Sequence, residues 1–106
     1  MMNIQGLMKQ AQMMQKRMEE TQSKLAQQEV EGTSGAGMVK VIMNGKFDTK
    51  KVSIDKSLMV ADEVDILEDL LVAALNNAHE KADQLMENGM KEVTGGLNLG
   101  GLKLPF

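Results

Sequence analysis

The stretch from Asn3 to Gln28, NIQGLMKQAQMMQKRMEETQSKLAQQ, carries the most regular pattern in the chain. Its apolar or small residues recur three and four apart along the whole stretch, at Ile4, Leu7, Ala11, Met14, Met18, Thr21 and Leu25. This alternation is typical of a helix with one apolar stripe, which we call the seam. Proline is absent and the other positions are mostly Gln, Lys, Arg and Glu, which favour helix. The sequence therefore predicts a helix of about 39 Å, at ~1.5 Å per residue.

A helix of that length is longer than the body that the remaining residues can build. A compact domain of about 100 residues has a radius of gyration of only ~13 Å. We therefore expect residues 1–28 to form an arm that projects beyond the rest of the chain. Two partners for its seam remain open. One is a ridge of small residues four apart, the alanine ridge, at Ala74, Ala78 and Ala82, and the other is a second copy of the chain.

The composition predicts a single domain, residues 1–106, with a modest core. The chain has eleven methionines but only two aromatic residues, both Phe. A Met-rich core packs adaptably and specifies its packing weakly. Together with the surplus apolar seam, this predicts a homodimer. The lack of cysteine suits a reducing cytoplasm, and we expect neither a signal peptide nor a membrane span.

A small antiparallel sheet is predicted within residues 29–55. Glu29–Glu31 is a short strand candidate, and Gly32–Gly37 forms a turn cluster. A β-rich segment ends at Asn44-Gly45, the strongest short signal for a two-residue hairpin, and Phe47–Asp55 is the expected returning strand. That simple register pairs apolar with charged residues. A bulge near Lys50-Lys51, or a longer loop, would repair part of it, and the register stays open.

A second helical region is predicted over residues 62–93. Asp62 has the features of an N-cap, and the alanine ridge lies on the apolar face of this region. Asn88-Gly89 is a plausible break or kink. Residues 94–106 are rich in glycine, which predicts a mobile tail. The predicted fold class is α+β, in the order α-β-β-β-α: a long N-terminal helix, a small sheet of three strands, a long C-terminal helix and the tail.

The net charge of −3 conceals an uneven distribution. Residues 1–28 have four basic and two acidic side chains, whereas residues 56–106 have four basic and nine acidic ones. The arm cations fall at adjacent heptad positions away from the seam and form one cation stripe, at Lys9, Lys16, Arg17 and Lys24. A solvated helix face would show this pattern, and so would a helix that contacts the phosphates of a duplex. No aromatic residue interleaves the cations, which argues against stacking on single strands.

No pattern in the sequence indicates catalysis, a cofactor or a metal site. His79 is the only histidine, with Asp83 four residues later, and we interpret it as a helix-surface residue. Gly32–Gly37 lacks the Gly-Lys-Ser/Thr ending of a phosphate loop and leads into a strand. The acidic cluster from Asp62 to Asp69 is explained by the dipole at a helix N-terminus. We therefore expect no enzyme activity and no small-molecule substrate.

Several segments, in order along nearly the whole chain, match one known pattern. They are Gly6–Gln12, Glu29–Gly32, Val39–Val41 leading into Asn44-Gly45, Leu67–Ala74, Asn76–Ala78, Thr94–Leu97 and the closing Pro105-Phe106. In these segments the chain resembles the YbaB/EbfC family of bacterial nucleoid-associated proteins. The resemblance spans several separate motifs and is more specific than any one of them.

The resemblance implies a homodimer of α-β-β-β-α protomers whose long helices project like tweezers. It also implies binding of double-stranded DNA, with a change in the DNA's conformation, in the cytoplasmic nucleoid. DNA contacts in this family are attributed to basic residues on the projecting helices. Carried over, these are Lys9, Lys16, Arg17 and Lys24, with Lys91 near the end of the second helical region as a weaker candidate.

The alternative is a protein-interaction module that does not bind DNA directly. In that case the free seam of the arm docks a partner helix, and Met14 and Met18 carry the contact.

Overall fold

The computed structural model of the protein describes residues 4–95. Helix α1 spans Ile4–Gln27, strands β1, β2 and β3 span Glu29–Ser34, Val39–Asn44 and Thr49–Ile54, and helix α2 spans Val64–Gly95. Short 3₁₀ turns occupy Gly35–Gly37, Lys56–Leu58 and Ala61–Glu63. The predicted α+β class and α-β-β-β-α order are confirmed. Most of the predicted tail lies outside the described residues.

The core lies between one face of the sheet and α2. The strands pair antiparallel in the order β1-β2-β3, and Val39, Val41 and Met43 of the central strand point to the same face. All three side chains are buried and cluster with the alanine ridge, whose residues are fully buried too. Alanine at every fourth position gives α2 a thin surface, so the helix lies close to the sheet.

The alanine ridge is therefore not the partner of the α1 seam, one of the two options that the sequence leaves open. A Cβ atom added to Gly32 of β1 would lie 2.3 Å from the Ala74 carbonyl oxygen and 2.4 Å from the Ala78 backbone nitrogen. The sheet thus occupies the space above the ridge. Small residues on both sides allow this contact, and α1 has no access to it.

Strand β1 is longer than predicted, because Gly32 to Ser34 belong to it and not to a turn. The absence of a side chain at Gly32 lets the strand continue under α2. Beyond it, the Thr33 backbone N–H donates a hydrogen bond to Asn77 Oδ1 at 3.1 Å, and Ser34 Oγ donates one to the Leu70 carbonyl at 2.5 Å. Only Gly35–Gly37 forms the turn.

The connection between β2 and β3 is longer than the two-residue hairpin that Asn44-Gly45 predicts. Asn44 is buried, and its Oδ1 accepts hydrogen bonds from the backbone N–H groups of Lys46 at 2.9 Å and Asp48 at 3.0 Å. This side chain closes a wider loop in which Phe47 has a φ of 67°. The returning strand consequently begins at Thr49 and not at Phe47.

A bulge at Lys50 settles the open register of the hairpin. Met43 pairs with Thr49, but Ile42 pairs with Lys51, so Lys50 has no opposite residue. The structure thus contains both options that the sequence leaves open, a longer loop and a bulge at Lys50. It aligns apolar residues with apolar residues across the two strands, as Val41 with Val52 and Val39 with Ile54.

Helix α2 is continuous through Asn88-Gly89, so the predicted break there is wrong. A Cβ atom added to Gly89 would lie 3.1 Å from Thr21 Cγ2 and 3.3 Å from Leu25 Cδ1. Glycine at this position therefore serves the packing of α1 against α2, and the surrounding helix keeps it helical.

Both ends of α2 differ from the prediction. Asp62 is not its N-cap, because this residue lies within the 3₁₀ turn that precedes the helix. At the other end, the helix includes Thr94 and Gly95, which the sequence assigns to the tail. Because the glycine-rich segment begins before the helix ends, the sequence places the start of the tail two residues too early.

Candidate nucleic-acid interface

Helix α1 is anchored to the body through its C-terminal end. Leu25 is buried, and the backbone N–H of Gly45 donates hydrogen bonds to the carbonyl oxygens of Leu25 at 2.9 Å and Gln28 at 3.1 Å. Asn44 Nδ2 adds a bond to the Ala26 carbonyl at 3.2 Å. The loop after β2 therefore satisfies carbonyls that the end of the helix would otherwise leave open.

The last turns of α2 run antiparallel beside α1. Residues later in α2 meet residues earlier in α1: Leu85 lies near Gln28, Gly89 faces Leu25 and Thr21, and Glu92 pairs with Lys24 at 3.7 Å. Val93, one turn after Gly89, is buried as well. The two helices thus cover each other near the body, and α1 continues past the end of this contact.

The seam changes from buried to exposed along α1. Leu25 is buried and Met18 and Met14 are half-buried, whereas Leu7 is 52% exposed and Ile4 is 67% exposed. The molecule measures 73 × 24 × 16 Å, with a radius of gyration of 19.8 Å, well above the ~13 Å of a compact domain of about this length. The part of α1 from Ile4 to Arg17 accordingly lies outside the body formed by the sheet and α2.

Three of the predicted DNA contacts lie on this projecting part. Lys9, Lys16 and Arg17 are all exposed on α1. Within residues 4–95 none of them forms an ion pair or a side-chain hydrogen bond. Their charges are therefore available to a partner outside the chain, on the side of the helix away from the seam.

The other two predicted contacts lie at the base of the arm. Lys24 forms its ion pair with Glu92, although both side chains are largely exposed and such a pair contributes little to stability. Lys91 is exposed on the last turns of α2, the segment that flanks α1. The structure therefore divides the predicted set into three projecting cations and two beside the α1–α2 contact.

The acidic cluster is remote from the projecting cations. Asp62 to Asp69 lie in the 3₁₀ turn before α2 and in the first turns of that helix, whereas α1 contacts α2 around Gly89. Twenty helical residues separate Asp69 from Gly89, which is about 30 Å at ~1.5 Å per residue. The Debye length is only ~8 Å at physiological ionic strength. The negative end of the molecule therefore screens little of the positive charge on the arm.

The sheet contributes exposed lysines that the sequence pattern does not group. Lys40 and Lys51 share the outer face of the sheet, opposite α2, because the bulge at Lys50 sets their register. Lys56 is exposed in the turn that follows β3. Residues 29–55 have equal numbers of acidic and basic side chains, so the sequence does not indicate a basic surface there. Only strand pairing brings Lys40 and Lys51 to one face.

The single histidine packs against an aromatic ring, and the acidic side chains stand apart from one another. The ring of His79 stacks on Phe47, with centroids 4.6 Å apart and an interplanar angle of 28°. The sequence predicts a contact with Asp83 instead, but the hairpin loop brings the partly buried Phe47 against His79 of α2. Among residues 4–95, no three His, Cys, Asp or Glu side chains are placed to hold a metal ion.

Comparison with known proteins fits this architecture. A model of the YbaB/EbfC DNA-binding family matches residues 1–97. The chain belongs to the YbaB/EbfC DNA-binding family. Relatives include nucleoid-associated proteins of Gluconacetobacter diazotrophicus, 53% identical, and of Granulibacter bethesdensis, 51% identical, and each match covers 100% of both chains.

A solved structure shares the fold of this YbaB/EbfC chain. The crystal structure of an uncharacterized protein from Helicobacter pylori superposes with a TM-score of 0.74 at 24% sequence identity. The match covers 92% of this chain and 98% of that one. At this identity the comparison speaks for the fold alone.

No helix within residues 4–95 combines the length and apolar character that crossing a bilayer would require.

Proposed function

We propose that this protein is a homodimeric, nucleoid-associated protein that binds double-stranded DNA through α1 and alters the conformation of the DNA. One observation carries the proposal: Lys9, Lys16 and Arg17 are exposed and have no ion-pair partner within residues 4–95, on a helix that overhangs the body. Cations in that position can reach phosphates without the acidic part of α2 approaching the DNA. Membership of a DNA-binding family and the names of the relatives support the same function.

A second copy of the chain would supply the second arm. The inner face of β3 supports this, because α2 covers β1 and β2 and leaves Val52 and Ile54 exposed by 42% and 37%. These side chains lie opposite the buried Val41 and Val39, so they extend the core face of the sheet. We propose that two protomers pair through this face and direct both arms to one duplex. The proposed activity is binding without enzymatic chemistry.

The charge-reversal variant Lys9→Glu/Lys16→Glu/Arg17→Glu tests the proposed DNA contact. Three cations on each of two arms give six phosphate contacts. The logarithm of the association constant should therefore fall with the logarithm of the salt concentration with a slope of about −5. The variant should lose affinity for duplex DNA at least about a hundredfold at low salt and flatten that slope. Fluorescence anisotropy with a labelled duplex, titrated at several salt concentrations, measures both quantities.

The matched control, which we call the sheet variant, carries the same change in charge on the sheet and on the turn that follows it, as Lys40→Glu/Lys51→Glu/Lys56→Glu. It should retain most of the affinity and the wild-type slope, since these lysines do not lie on the arm. Equal losses in both variants would mean that net charge alone drives binding. Unchanged affinity in the arm variant would overturn the proposal and favour the protein-interaction module.

The conformational effect is tested by ligase-catalysed circularisation of short duplexes. A dimer that holds one duplex between two arms should change the yield of circles at protein concentrations that saturate binding. The arm variant should have no such effect, while the sheet variant should behave like the wild type.

A further inference from the structure

One large apolar side chain lies on the cationic side of the arm. Met13 is 50% exposed on the projecting part of α1. The other large apolar residues of this helix belong to the seam or lie beside it, at Ile4, Leu7, Met8, Met14, Met18 and Leu25. The seam therefore does not account for Met13, whose surroundings on the helix are of the opposite character.

The neighbours of Met13 on the helix surface all carry hydrogen-bond donors. Residues three and four positions apart along a helix adjoin each other. For Met13 these neighbours are exposed and none of them is acidic: Lys9, Gln10, Lys16 and Arg17. At 3.6 residues per turn, Lys9 and Arg17 lie about 40° to either side of Met13 around the helix axis. Three cations thus flank one apolar side chain.

The spacing of these cations suits the two edges of a DNA groove. Lys9 and Arg17 are eight residues apart, which is about 12 Å along the helix at ~1.5 Å per residue. The minor groove of B-DNA is ~6 Å wide, too narrow for a helix with a diameter of ~10 Å. A helix that crosses this groove from outside can hold one cation on each bordering backbone, and only a side chain midway between them can enter. Met13 is at that midpoint.

The chemistry of methionine is suited to a wedge between base pairs. Its side chain is unbranched and flexible, and it carries no charge that must lose its hydration. Apolar side chains, methionine among them, enter the minor groove, partly unstack a base step and kink the duplex by about 20–90°. Contacts to phosphates serve mainly to position a protein on the duplex. An apolar residue among the cations therefore gives the arm a means of deforming DNA that charge alone does not supply.

We propose that Met13 enters the minor groove between two phosphate-bound cations and partly unstacks one base step, which bends the duplex. This inference rests on the proposed function, because it requires the arm to contact double-stranded DNA. It adds the residue, the groove and the kind of contact through which a bound arm changes the shape of the DNA. In the proposed dimer, each arm inserts one such side chain.

Base unstacking is measured with 2-aminopurine, an adenine analogue whose fluorescence rises when it loses its stacking partners. A short duplex carries the analogue at a central TA step, because such steps unstack readily. The full-length wild type at saturating concentration should raise the fluorescence, Met13→Gln should lose this rise, and Met13→Leu, which keeps an apolar side chain, should retain it. Met8→Gln is the matched control: Met8 is 58% exposed but lies beside the seam, so this variant should behave like the wild type.

Binding is followed in the same samples through the anisotropy of a second label at the end of the duplex. Met13→Gln should show the wild-type dependence of affinity on salt, because the substitution changes no charge. A fluorescence rise in Met13→Gln equal to that of the wild type, an equal loss in Met8→Gln, or no rise with a wild type that binds would each overturn the wedge and leave the proposed DNA binding intact. A wild type that does not bind the duplex would overturn both proposals.

Discussion

Gly32 shows at the scale of a single residue how the core of this fold is assembled. It lies in the middle of β1, and a Cβ atom there would lie 2.3 Å from a backbone oxygen of α2. Neither element can move aside easily, because the added Cβ would be attached to the backbone of a strand and would meet the backbone of a helix. The missing side chain therefore sets the distance between sheet and helix.

Substitution Gly32→Ala should destabilise the protein by about 1–3 kcal/mol or more, the range for overpacked cores. The added methyl group forces α2 away from β1 and loosens the contacts of the alanine ridge. Urea denaturation followed by circular dichroism measures the free energy of unfolding. Thr33→Ala is the control on the exposed face of the same strand and should change this free energy by less than about 1 kcal/mol. Equal stability of the Gly32 variant would contradict the packing described.

Asn44 has a comparable role in the hairpin. The sequence motif Asn-Gly predicts the turn correctly but not its length, because a buried side chain decides the length. Asn44 accepts two backbone hydrogen bonds within the loop and donates one to α1. One residue thus shapes the turn and helps to anchor the arm.

At the scale of elements, the decisive contact is the one that anchors α1. Helix α1 is buried at Leu25 and progressively exposed toward its start. A helix of 24 residues with a single buried residue takes most of its stability from that end. The arm is therefore a projecting element that is fixed at its base.

The variant Leu25→Ala should loosen the arm while the body stays folded. Loss of this buried side chain costs about 2–5 kcal/mol of the contact between α1, Gly45 and Gly89. Amide hydrogen exchange should become faster throughout α1, and the amides of β2 and the middle of α2 should keep their protection. Met13→Ala, half exposed on α1 away from the seam, is the matched control. Uniformly faster exchange over the whole chain would show that arm and body unfold together.

At the scale of the whole molecule, α2 is too narrow to cover three strands. It packs on β1 and β2, and the inner face of β3 remains open although its residues are apolar. In the single chain this face adjoins a buried core of valine and alanine with one methionine, Met43, so the Met-rich core expected from the composition is not found among the described residues. The proposed dimer closes this core and doubles the number of arms.

Val52→Glu/Ile54→Glu should convert the proposed dimer to a monomer. Two carboxylates on an apolar interface lose their hydration without a partner, which strongly disfavours association. Light scattering at micromolar concentration gives the molar mass, which should fall by half. Lys51→Glu/Ser53→Glu places the same new side chains on the opposite face of β3 and should leave the mass unchanged. A wild-type protein that is already monomeric would contradict the proposal directly.

The sequence by itself determined the features that depend on neighbours along the chain. The 3–4 spacing predicted α1 nearly to its ends, since helical periodicity is local. The order of elements and the stripe of arm cations followed in the same way. Family-like segments added the expectation of DNA binding, and the family is now established.

The tertiary structure decided everything that depends on residues far apart in the chain. It assigned the alanine ridge to the sheet, kept α2 helical through Gly89 and shifted the hairpin register by one residue at Lys50. It also separated Lys24, paired with Glu92, from the projecting Lys9, Lys16 and Arg17. Except for the hairpin register, these outcomes rest on contacts across more than twenty residues. No local periodicity encodes which of two similar surfaces a helix will meet. Packing selects among them by shape, through single positions such as Gly32 and Gly89.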